Sequence, residues 1–164
     1  MVGISNHYLI EILNRCQLKY WQGVFSSDTL PNKLHALKDY AVIVNFAREN
    51  QVGTHFIALA KINHKLFLFD SLATPSTLLP ATLREWMESE HGTFVFKQPI
   101  QHALSEFCGM YCLYFILWLS LPTSSRQHRF SPLKFSSSNT KLNDKICVDM
   151  IYAMLTTGEI KRRQ

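Results

Sequence analysis

The chain has 164 residues, 47% of them hydrophobic, the size and composition of one globular domain over residues 1–164 with one core. The 12% aromatic content excludes a disordered composition, and the longest apolar run, Met110 to Leu119, falls short of the roughly 18 residues that span a bilayer, so no membrane role is expected. A net charge of +5 and the ending Lys161, Arg162 and Arg163 favour weak attraction to polyanions such as DNA without demanding it.

Met1 to Asn14 has neither a basic n-region nor a small-residue cleavage site, which predicts no secretory signal and an intracellular protein. Cys16, Cys108, Cys112 and Cys147 are too scattered for a disulfide framework or paired zinc knuckles, so reduced thiols are expected.

In chain order, Ile4, Tyr8, Ile12 and Leu13 share one face and predict a helix over Ser5 to Arg15, capped by Ser5 or Asn6. Tyr20 to Phe25 and Tyr40 to Phe46 read as strands, with a loop or short helix between them. His55 to Ile62 and Lys65 to Asp70 form the strongest local signal, two apolar runs joined at Asn63 and His64, which tolerate the positive φ of a tight hairpin. Pro80 to Glu90 predicts a helix with Leu83, Trp86 and Met87 inward, followed by a strand at Thr93 to Lys97. Ser105 is placed as N-cap of a buried central helix, Cys108 to Leu121, that Pro122 stops. Serine-rich Thr123 to Asn139 predicts a surface loop, and Asn143 to Leu155 a final helix ending near Gly158.

A thiol is a useful nucleophile only as thiolate, which calls for an imidazole, a helix N-terminus, or both. Cys108 is placed to have both, in the first turn of the central helix beside Gly109, which lets another chain approach closely. The hairpin offers the base: if Ile62 pairs with Lys65, His55 falls opposite Leu72 and Asp70 is its diagonal neighbour on the same face. Diagonal positions lie about 7–8 Å apart, a span that Asp and His side chains close with a hydrogen bond. The carboxylate would then orient the imidazole and stabilise its protonated form. Gln101, seven residues before Cys108, is the candidate side-chain donor for an oxyanion hole shared with the Cys108 N–H.

The segment Gln101-His102-Ala103-Leu104-Ser105-Glu106-Phe107-Cys108-Gly109, with the chain order His55, Asp70, Gln101, Cys108, resembles the adenovirus cysteine protease (adenain) family, within the wider clan of ubiquitin-like deconjugating proteases. His55-Phe56 stands where that family usually has histidine and tryptophan, Leu68-Phe69-Asp70 ends the next strand with the acid, and Cys112 resembles a second cysteine of its helix. The likeness covers roughly residues 8 to 120. It implies an α+β, papain-like fold, in which a central mixed or antiparallel sheet packs on a buried helix with the nucleophile at its N-terminus. It also implies an endopeptidase that processes viral precursor structural proteins at small-residue, Gly-containing sites. The expected protein is a monomer needing no cofactor for its chemistry, found in the host nucleus or virion if viral, with activation by DNA or a viral peptide left open. His91 to Gln98 contains no cysteine, so the family's disulfide-linked peptide activation is not expected.

Three other readings compete. The same clan arrangement serves ubiquitin-like deconjugases and acyltransferases, and a dead protease would leave a DNA- or capsid-binding protein. Cys108 and Cys112 could ligate zinc, although no second ligand pair stands at a suitable spacing. His102 is an alternative base, Trp21 a candidate groove residue, and Cys16, Cys112 and Cys147 are expected to be buried and inert.

Overall fold

A computed structural model describes residues 6–16, 18–129, 131–158 and 160. Ser5 and the basic residues 161–163 lie outside the described residues.

Five strands form one mixed sheet in the order β1-β2-β3-β4-β5: Trp21–Ser26, Tyr40–Asn45, Phe56–Ile62, Lys65–Phe69 and Thr93–Phe94. β1 and β2 are parallel, β2, β3 and β4 are antiparallel neighbours, and β4 and β5 are parallel. The interior strands read YAVIVN and FIALAKI because both faces of the sheet are covered, which demands near-continuous apolar sequence instead of alternation.

The sheet divides the apolar interior in two, where the composition suggested one core. On one face the two parallel crossovers supply the cover: Leu34 from a short 3-10 helix (Asn32–Ala36) between β1 and β2, and Leu83, Trp86 and Met87 from α2 (Ala81–Ser89) between β4 and β5. On the other face lie α1 (Asn6–Arg15), α3 (Cys108–Leu119) and α5 (Thr140–Thr156). Small residues Ala41, Ala58 and Ala60 line that face and leave room for the large side chains of α3, among them Tyr111 and Phe115. α3 is apolar all round and buried from Tyr111 to Leu117, as its sequence predicts.

Three local expectations are corrected. Thr123 to Asn139 is not a continuous loop: α4 (Thr123–His128) and a 3-10 turn (Pro132–Lys134) interrupt it. Pro122 and Pro132 lead these segments, and the Ser131 side chain accepts from the Leu133 N–H. β5 spans Thr93–Phe94 alone, and the chain leaves the sheet before Lys97. The last helix begins at Thr140, capped by the Asn139 side chain on the Leu142 N–H, so Asn143 lies inside it. No helix among the described residues is long and apolar enough to cross a membrane.

Candidate active site

The hairpin sets the position of His55 relative to Asp70. Asn63 and His64 both have positive φ, 50° and 65°, the signature of a two-residue turn, and Ile62 pairs with Lys65. The pairing runs back to Ala58 opposite Phe69, leaving His55 and Asp70 just beyond the ladder at the same end of the sheet. His55 Nε2 and Asp70 Oδ1 are 2.8 Å apart. Both residues are buried, at 8% and 2% exposure.

Each member of this pair is held by further contacts. Asp70 Oδ1 also accepts from the Leu72 N–H at 2.9 Å, and Oδ2 accepts from the Thr74 N–H at 2.9 Å. Burial works against the Asp70 charge, but the His55 hydrogen bond and charge, with help from Thr74 and Leu72, outweigh it and hold the carboxyl below its ordinary value. For His55, burial pushes the pKa down, while the hydrogen bonds to Asp70 and then to the Cys108 thiol push it up, and the balance lies at about 9. Phe46 stands edge-on to the imidazole, ring centres 4.9 Å apart, and its N–H donates to the His55 carbonyl at 2.9 Å. With Nε2 committed to Asp70, Nδ1 is the nitrogen left to exchange a proton with Cys108.

Cys108 is the first residue of α3, with Phe107 as N-cap. The expected Ser105 cap is not formed. The Ser105 N–H bonds back to the His102 carbonyl, which folds the segment into a turn ahead of the helix. Phe107 has no side-chain acceptor for the first-turn N–H groups, and the half-buried Cys108 stands at this positive end of the helix. Cys16, Cys112 and Cys147 are buried, and none of the four cysteines is in a disulfide. Burial pushes the Cys112 and Cys147 thiols well up, which keeps them protonated and inert.

Gln101 is buried, and its side-chain amide is tied at both ends: Oε1 accepts from Ser71 Oγ at 2.6 Å and Nε2 donates to the Ser105 carbonyl at 2.6 Å. The amide therefore sits between the residue that follows Asp70 and the turn that leads into Cys108.

His102 Nδ1 faces the Leu104 N–H of its own loop at 3.3 Å, and the Trp21 indole donates to Asn14 Oδ1 of α1. Trp21 is thus committed to the α1 side. Among the described residues no group of His, Cys, Asp and Glu could hold a metal ion. A cavity of about 490 Å³ is lined by Phe46, Arg48, Gln51, Leu78 and the start of α2, so the ring that stands edge-on to His55 also forms part of its wall.

Sequence reasoning missed Asn45, Ser71 and Asn143. Asn45 Oδ1 accepts from the Ala47 and Thr54 N–H groups and so fixes the approach to His55. The fully buried Asn143 donates from Nδ2 to the Ile100 and Ser136 carbonyls, both at 2.7 Å, bracing the residue before Gln101 from α5. The one sequence signal was polarity: Asn45 closes an otherwise apolar strand, and Asn143 lies between Leu142 and Ile146 in α5. No protein-family model and no curated protein matches this chain.

Proposed function

We propose that this chain is a cysteine endopeptidase of adenain-like, papain-like architecture, with Cys108 as nucleophile, His55 as base, Asp70 as its orienting acid and Gln101 as oxyanion donor. The observation that carries the reading is a single imidazole held at 2.8 Å by a buried carboxylate, with Cys108, the first residue of α3, among the groups that raise its pKa. Reduced, half-buried Cys108 at a helix N-terminus suits nucleophilic attack in a way that the three buried thiols do not.

In the proposed mechanism His55 takes the Cys108 proton and the thiolate adds to the scissile carbonyl carbon. The carbonyl oxygen becomes an oxyanion facing the Cys108 N–H and the Gln101 amide. Collapse breaks the C–N bond, and the imidazolium gives its proton to the departing amine. Water then adds to the thioester with His55 as base, releasing the carboxylic acid and restoring the thiol. No metal or organic cofactor enters these steps. Precursor proteins cut after small, Gly-containing sequences are the proposed substrates, on the strength of the sequence resemblance.

The test is cleavage of a peptide library rich in Gly-containing sites, with and without DNA, beside a Cys108→Ala control. Cuts that vanish in the control are the expected result. An unchanged cutting pattern in Cys108→Ala would refute the assignment, and labelling of Cys108 by a thiol-reactive ubiquitin-like probe, without peptide cleavage, would favour a deconjugase.

A further inference from the structure

We propose that Ser71 is a positioning residue for the oxyanion donor, fixing the Gln101 side-chain amide so that one Nε2 hydrogen is reserved for the reacting carbonyl oxygen. The inference rests on the cysteine-hydrolase reading above.

Ser71 follows Asp70 at the end of β4 and is 1% exposed. Its carbonyl accepts the Ile100 N–H at 2.8 Å and the Gln101 N–H at 3.0 Å, and its Oγ–H donates to Gln101 Oε1 at 2.6 Å. One residue thus holds both the backbone and the side chain of Gln101. The segment is braced from behind as well, because the Ile100 carbonyl accepts from Asn143 Nδ2 at 2.7 Å.

The identity of the amide atoms follows from their partners. A carbonyl only accepts, so the Ser105 carbonyl at 2.6 Å must face Nε2. Oε1 then faces Ser71, whose hydroxyl acts as donor. An amide nitrogen carries two hydrogens; the Ser105 carbonyl takes one, and the other meets no protein acceptor among the described residues. That remaining hydrogen is the one the chemistry requires. Without the Ser71 hydroxyl, Oε1 loses its donor and the amide is held at one end only. Its terminal torsion is broad, so the amide can then turn away from the position an oxyanion would occupy.

Ser71 is also bonded in sequence to Asp70, so a test must separate an effect through Gln101 from one through the Asp70–His55 pair. The full chain is compared as wild type, Ser71→Ala, Gln101→Ala and the double variant, using a peptide that the wild type cleaves. Alkylation of Cys108 by iodoacetamide is followed in parallel; it forms no oxyanion and reads only the thiol and its imidazole. Gln101→Ala is expected to lower kcat about 10²–10³-fold. Ser71→Ala is expected to lower it about 10–100-fold with little change in KM, since the loss is of orientation and not of substrate contact. The double variant is expected to be no slower than Gln101→Ala, and the alkylation rate of Ser71→Ala to equal that of wild type. Ser71→Cys keeps the shape with a weaker donor and is expected to fall between, which preserves the test if the alanine variant does not fold.

Unchanged kcat in both Ser71 variants, losses that multiply with that of Gln101→Ala, or slowed alkylation would each overturn the inference while leaving the hydrolase standing. A wild-type chain without turnover would overturn the hydrolase reading and this inference together.

Discussion

Asp70→Asn probes the orienting acid with almost no change of shape. In the native site the carboxylate accepts three N–H groups, those of His55 and Leu72 on Oδ1 and that of Thr74 on Oδ2. An asparagine has one oxygen for the three. Set at the Oδ1 position it keeps His55 and Leu72 but turns its NH₂ against the Thr74 N–H; reversed, it opposes two donors, so the first orientation wins. The imidazole then keeps a hydrogen bond and loses its anion. Hydrogen bonds to charged groups are worth about 1.5–3 kcal/mol, against about 0.5–1.5 for neutral ones, so the protonated imidazole loses the difference, about 1–1.5 kcal/mol. At about 1.4 kcal/mol per tenfold this is about a 5- to 12-fold fall in kcat. His55 is raised from 6.5 to about 9, so the stability it contributes is fully present below about 6.5 and is lost as pH rises through about 9. In the proposed mechanism the same proton is needed by the leaving amine, so wild-type kcat is expected to fall as pH passes about 9. In Asp70→Asn both the alkaline limb and the stability loss should move to lower pH. The assay is a pH profile of kcat with thermal melts across the same range. A kcat within about threefold of wild type, with an unmoved alkaline limb, would refute the reasoning.

Two further substitutions test the scaffold around the site. The Ser105 hydroxyl is buried with no partner among the described residues, so Ser105→Ala should leave stability unchanged or raise it by up to about 1 kcal/mol, and a fall in Tm would contradict this. A Cβ at Gly53 would run into Asn45 Nδ2, so Gly53→Ala must displace the amide that holds the Thr54 N–H beside His55. A loss of about 1–3 kcal/mol in denaturant melts, with slower alkylation of Cys108, is expected. A variant matching wild type in both measurements would show that Asn45 does not position His55.

The parts of the site legible in the sequence are those fixed by local rules. Asn63 and His64 specify a two-residue turn, the turn fixes the register, and the register brings His55 and Asp70 to one end of the sheet. The start and apolar character of α3 were legible as well, while the helix expected to reach Leu121 ends at Leu119, ahead of Pro122. Ser105 was misread because an N-cap preference describes residues at helix starts without fixing where the start lies. Here the Ser105 carbonyl is taken by Gln101 and its N–H by His102, and the helix begins at Cys108 behind a residue that cannot cap. The segment after Pro122 was misread because its serines resemble a loop, whereas its prolines initiate short helices. Ser71 and Asn143 were invisible because their partners lie 30 and 43 residues away, and no local pattern encodes a tie of that length.

The central claim is that His55 activates Cys108, and it is tested most directly by the rate of Cys108 alkylation in wild type and His55→Ala at neutral pH, with the modified cysteine located by mass spectrometry. The account predicts that Cys108 reacts first among the four cysteines and that His55→Ala slows it at least tenfold, because the variant lacks the imidazole that takes the thiol proton. Equal rates in the two proteins would contradict it.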